Sequence, residues 1–106
     1  MVGKMVKVLK QDVYLRLLGI IYKYSMFDEA RGELLIRYIT FKLLDFNFAP
    51  IIYEKLQMDT GILMQDKALT KSYDLVIKQM DRKFTQLELL EIKTMVFDIL
   101  QTGYHL

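Results

Sequence analysis

Apolar residues recur along this chain at steps of three and four, the period of a helix with one buried side. From Gln11 to Tyr24, the residues Val13, Leu17, Ile20, Ile21 and Tyr24 fall on one stripe, with Tyr14 and Leu18 beside it, and predict a first helix. Ahead of it Val6 and Val8 alternate with Lys7, so Met5 to Leu9 admits a short strand as a minor reading, one that needs a partner strand to form. Ser25-Met-Phe-Asp28 has the spacing of a capping box and marks the start of a second helix. From Ala30 to Phe48 apolar side chains lie nearly all round the helix: Leu34, Leu35, Ile36, Tyr38, Ile39, Phe41, Leu43, Leu44, Phe46 and Phe48. A helix of that kind is either central in the fold or shared between subunits.

Asn47 and Pro50 end this segment, because the residue before proline is pushed out of helical geometry while proline itself suits the first turn of a new helix. A third helix is predicted from about Pro50 to Met64, with Gly61 weakening its end, so that it stops near Asp59 in the shorter version. Thr70 is the expected cap of a fourth helix running through Met80 on Tyr73, Val76, Ile77 and Met80. Thr85-Gln-Leu-Glu88 is a complete capping box and the strongest local signal in the chain. The fifth helix follows it through Thr102 on a stripe of Leu89, Ile92, Val96 and Ile99, and Gly103 stands where a terminating glycine belongs.

These elements predict an all-α protein: one domain over residues 1–106, a compact bundle of four or five short helices. The composition adds a second expectation. Hydrophobic residues make up 53% of 106 positions, above the usual share, and a domain of this size buries only about 60 to 70% of the surface its unfolded chain exposes. Apolar side chains are therefore left without an internal home, and a second copy is the simplest cover, so a dimer is expected.

Candidate chemistry is sparse. Cysteine is absent and His105 is the sole histidine, which removes thiolate nucleophiles, disulfides and the nitrogen and sulfur ligands that zinc prefers. Asp28, Glu29, Glu33, Glu88 and Glu91 cluster near helix starts, where carboxylates favour the positive end of the helix dipole. Glycines stand singly, so there is no phosphate-cradling loop, and neither Ser25 nor Ser72 has a histidine nearby in sequence. No catalytic residue, metal site or cofactor is expected, and the chain is not expected to be an enzyme. Lys4, Lys7 and Lys10 precede an apolar run, but Arg16, Gly19 and Lys23 interrupt it and it is too short to span a bilayer. A cytoplasmic home is the default expectation.

The net charge of +2 is unevenly spread. Lys67, Lys71, Lys78 and Arg82 recur at steps of 4, 7 and 4 and would share one face of a continuous helix, with Asp74 among them. Such a stripe can meet nucleic-acid phosphates, while its ordinary explanation is the solvated side of an amphipathic helix. Tyr38, Phe41, Phe46, Phe48 and Tyr53 gather in the middle of the chain, the residue type enriched at the centre of protein interfaces.

Ala49-Pro50-Ile51-Ile52, followed by Leu69-Thr70 opening the next helix in a small, cysteine-free, helical chain, resembles the small helical immunity proteins that protect bacteriocin producers. The resemblance covers about a quarter of the chain and implies no functional residues here. The leading expectation is a non-catalytic, regulatory module that binds another protein through an apolar helix face as a homodimer. Nucleic-acid binding through the basic stripe comes second, an immunity-protein-like bundle third, and attachment of the lysine-rich N-terminal segment to an anionic membrane is the weakest.

Overall fold

A computed structural model of the chain describes residues 8–26, 28–48, 52–64, 72–102 and 104–105. In order along the chain these form β1 (Val8–Leu9), α1 (Gln11–Ser25), α2 (Glu29–Asp45), α3 (Ile52–Thr60), α4 (Tyr73–Lys83), α5 (Gln86–Thr102) and β2 (Tyr104–His105). The protein is all-helical apart from a two-residue antiparallel ribbon in which Val8 pairs with His105 and Leu9 with Tyr104. That ribbon supplies the partner strand which the alternation before Gln11 required, for the two residues of that stretch that are described.

The helix boundaries follow from backbone hydrogen bonding that the sequence signalled with mixed accuracy. Thr85 and Glu88 close the expected box: the Thr85 N–H donates to Glu88 Oε1 at 2.9 Å and the Glu88 N–H to Thr85 Oγ1 at 3.1 Å. The box expected at Ser25 does not form. Asp28 is the N-cap of α2, accepting from the Arg31 N–H at 3.2 Å, whereas Ser25 belongs to α1 and its hydroxyl donates back to the Ile21 carbonyl. A carboxylate one turn nearer to the exposed amides outcompetes a hydroxyl that already has a carbonyl within its own helix. At α4 the cap is Ser72, which accepts from the Leu75 N–H at 3.2 Å, and the expected Thr70 lies outside the described residues.

Asn47 ends α2 as expected, and the way it does so is specific. Its φ is 64°, the left-handed conformation, and it places the Phe48 N–H 2.9 Å from the Leu43 carbonyl and its own N–H 3.0 Å from that of Leu44. This is a Schellman closure with asparagine in the position glycine usually takes, and its hydrophobic pair is Leu43 against Phe48, both buried. Gly61 ends α3 in the same region of backbone space at φ 72°, so the helix stops at Thr60 and not at Met64. Pro50, the expected start of α3, lies outside the described residues, and the described helix begins at Ile52.

α2 is the centre of the bundle and packs against each of the other four helices. It buries Leu34, Leu35, Ile36, Tyr38, Ile39 and Leu43, which is why its apolar residues are spread around its circumference. α1 contributes Val13, Leu17, Ile20, Ile21 and Tyr24 and α5 contributes Leu89, Ile92, Val96, Ile99 and Leu100 to one continuous core. Gly32 is the close-approach point between α2 and the segment after α3, since a Cβ there would collide with Ile62 Cδ1. Among the described residues no helix is long and apolar enough to cross a membrane.

Candidate functional site

α2, α4 and α5 enclose an open groove of about 420 Å³ lined by Tyr38, Lys42, Phe46, Tyr73, Lys93, Thr94, Phe97 and Leu100. Tyr38 and Lys42 lie one helical turn apart on α2, so both side chains reach the same wall. The Tyr38 and Tyr73 rings stack with centroids 6.3 Å apart, and Phe41 meets Tyr73 edge-on at 5.5 Å. Phe46 meets Phe97 edge-on at 5.8 Å across the other end. Lys42 Nζ sits 5.1 Å from the Tyr73 ring centre and 5.7 Å from that of Tyr38, a cation held against two aromatic faces. Burial, with a lesser contribution from Tyr73, pushes the Tyr38 hydroxyl far above the usual tyrosine range.

Of the five aromatic residues expected at an interface, the structure brings three together in or beside this groove: Tyr38, Phe41 and Phe46. Phe48 is buried in the core behind the end of α2. Tyr53 stands on α3, where it packs against the core and its hydroxyl donates to Met64 Sδ at 3.1 Å. Of the basic stripe, Lys78 and Arg82 are exposed one turn apart on α4, with Asp74 exposed one turn before them, while Lys67 and Lys71 lie outside the described residues.

What the residue pattern did not single out is the outward side of α5. Leu87, Leu90 and Phe97 are 65%, 63% and 54% exposed, and Thr94 lies between them on the same side. α5 therefore carries two series at identical 3-4-3 spacing: Leu89, Ile92, Val96 and Ile99, which are buried, and Leu87, Leu90, Thr94 and Phe97, which face out. The second series was legible in the sequence as spacing, but an amphipathic helix is normally assigned one apolar stripe, and the fuller one took the assignment. Phe97 belongs both to this outer series and to the aromatic groove, so the two features form one surface.

Of the clustered acids, Asp28, Glu33, Glu88 and Glu91 are engaged in structure, and Glu29 is exposed. Arg31 donates to both oxygens of Glu88, at 2.9 and 3.3 Å, to the Lys83 carbonyl at 2.8 and 3.0 Å and to the Tyr24 carbonyl at 3.1 Å, and its guanidinium lies 4.5 Å from the Phe84 ring centre. The Thr85 backbone N–H, together with Arg31, holds the Glu88 carboxyl below the ordinary glutamate range, against the opposing effect of desolvation. Glu91 accepts a hydrogen bond from the Tyr24 hydroxyl, and that bond, reinforced by burial, pushes the Tyr24 pKa up to about 12. Glu33 pairs with the fully buried Arg37 at 3.1 Å, and Asp59 accepts from the Tyr14 hydroxyl at 2.6 Å. Burial is the largest reason that the Tyr14 hydroxyl titrates far above its usual range, with Asp59 adding to it. Among the described residues no three histidine or carboxylate groups converge closely enough to hold a metal ion. Comparison with protein-family models, curated proteins and solved structures finds no match to this chain.

Proposed function

We propose that this protein is a non-catalytic interaction module that works by packing the outward side of α5 against another protein, in the first instance as a homodimer. The observation that carries the reading is the exposure of Leu87, Leu90 and Phe97 on a helix whose opposite side already fills the core. Leaving three large apolar side chains in water on one helix side is unfavourable by roughly 25 cal/mol for each Å² of apolar surface, and a partner helix removes that cost. The stripe alone is smaller than the roughly 800 Å² per partner of a standard interface. The adjoining groove with Phe46, Tyr73 and Phe97 extends it, and Lys42 and Lys93 at its margin are placed to steer an approaching surface.

Light scattering across a concentration series tests the reading. The expected result is a mass near twice 12.6 kDa for the unaltered chain, and a monomer for Leu90→Glu with its helical circular dichroism unchanged. A strictly monomeric protein at millimolar concentration that binds no hydrophobic dye would sink it.

A further inference from the structure

We infer that the occupant of the α5 surface is α5 of a second copy, running parallel to it. The inference rests on the homodimer reading above and adds its orientation. At 100° per residue, Leu87, Leu90, Thr94, Phe97 and Gln101 fall within about 80° of one another, which makes them the two alternating seam positions of a heptad pattern. The borders of this seam carry opposite charge. Lys93, with Gln86 one heptad before it, lines one side, and Glu91 and Asp98 line the other.

Orientation decides which borders meet. In a parallel pair each border faces the opposite border of its neighbour with an offset of five residues, so Lys93 of each copy meets Asp98 of the other and Gln86 meets Glu91. In an antiparallel pair each border faces its own kind, which sets acids against acids and Lys93 against Lys93. Asp98 is free to regroup, because its contact with Arg16 is 4.0 Å long and both side chains are more than half exposed. Thr94 then meets Thr94 at the middle of the seam, and a polar residue there fixes register while weakening the association.

The chain has no cysteine, so single-cysteine variants report the geometry directly. Leu87→Cys, Thr94→Cys and Gln101→Cys all alter exposed positions. A parallel pair gives self-linked dimers from each variant under mild oxidation, and a mixture of Leu87→Cys with Gln101→Cys gives no mixed product, because 14 residues of helix separate the two sites by about 21 Å, far beyond the ~7 Å that a disulfide can bridge. A chain that scatters as a dimer while Leu87→Cys and Gln101→Cys fail to self-link, or one in which 87 links to 101, overturns the parallel orientation and leaves the dimer standing. A chain that light scattering finds monomeric, with no linking at any site, overturns both. The charge arm is independent: Asp98→Lys and Lys93→Asp each weaken association by about threefold to tenfold, and the double swap restores it. A double swap as weak as either single change counts against the pairing.

Discussion

The Arg31 guanidinium on α2 grips the Glu88 carboxylate on α5 through two hydrogen bonds while also bonding the carbonyls that end α1 and α4. Glu88 is at the same time the acid of its own helix cap. One side-chain pair thus couples three helix termini to the central helix, at a site only about a quarter exposed. Arg31→Ala is expected to lower unfolding free energy by about 2 to 3 kcal/mol, since it strands a carboxylate and two carbonyl groups together. Urea denaturation of Arg31→Ala, Glu88→Gln and the double variant checks it, and the double variant should be less destabilised than the sum of the single changes.

Acid should loosen this junction. The folded-state pKa of Glu88 lies below its ordinary value, so its contribution is fully present above the unfolded-state pKa and is lost as pH falls through the depressed folded value. Stability measured between about pH 6 and pH 2 should fall less steeply in Glu88→Gln than in the unaltered chain.

Alkali acts with the opposite sign at the same end of the bundle. The Tyr24 hydroxyl titrates near 12 when folded against 10 when free, so its contribution is whole below pH 10 and disappears as pH rises from 10 towards 12. Tyr24→Phe should show a shallower loss of stability across that window, read by chemical denaturation at fixed pH values.

The two series on α5 make separable predictions. Ile92→Ala on the inner side should cost about 2 to 4 kcal/mol of folding stability, through lost burial and the cavity left behind. Phe97→Glu on the outer side should change monomer stability far less, and should abolish the dimer mass in light scattering. Finding the reverse order of stability effects would mean that the faces are misassigned.

Helix capping offers a direct contrast between two similar sequence signals. Thr85→Ala should destabilise by about 1 kcal/mol, because its hydroxyl caps α5. Ser25→Ala should have a smaller effect, because that hydroxyl only repeats a bond to a carbonyl one turn back. Thermal melts of the two variants side by side provide the check.

The fold was legible wherever one local signal stood without a competitor. α1 and α5 fall within a residue of their expected limits, because each has a single uninterrupted core stripe and α5 has a complete cap. The start of α2 was misplaced because Ser25 and Asp28 both have capping chemistry, and only the three-dimensional position of the Ile21 carbonyl decides between them. The end of α3 depended on Gly61 adopting a positive φ, which composition permits without requiring. In the candidate site, Tyr38, Phe41 and Phe46 were found from their gathering in the sequence. Tyr73 and Phe97 were not, because they come from distant helices and meet those rings only through packing. Arg31 was invisible for a related reason: its partners lie 52 and 57 residues away.

The ribbon between β1 and β2 makes neighbours of backbone positions separated by 97 residues, Val8 and His105. Whatever peels one of these edges away therefore releases the other, and the two ways out of the bundle open together.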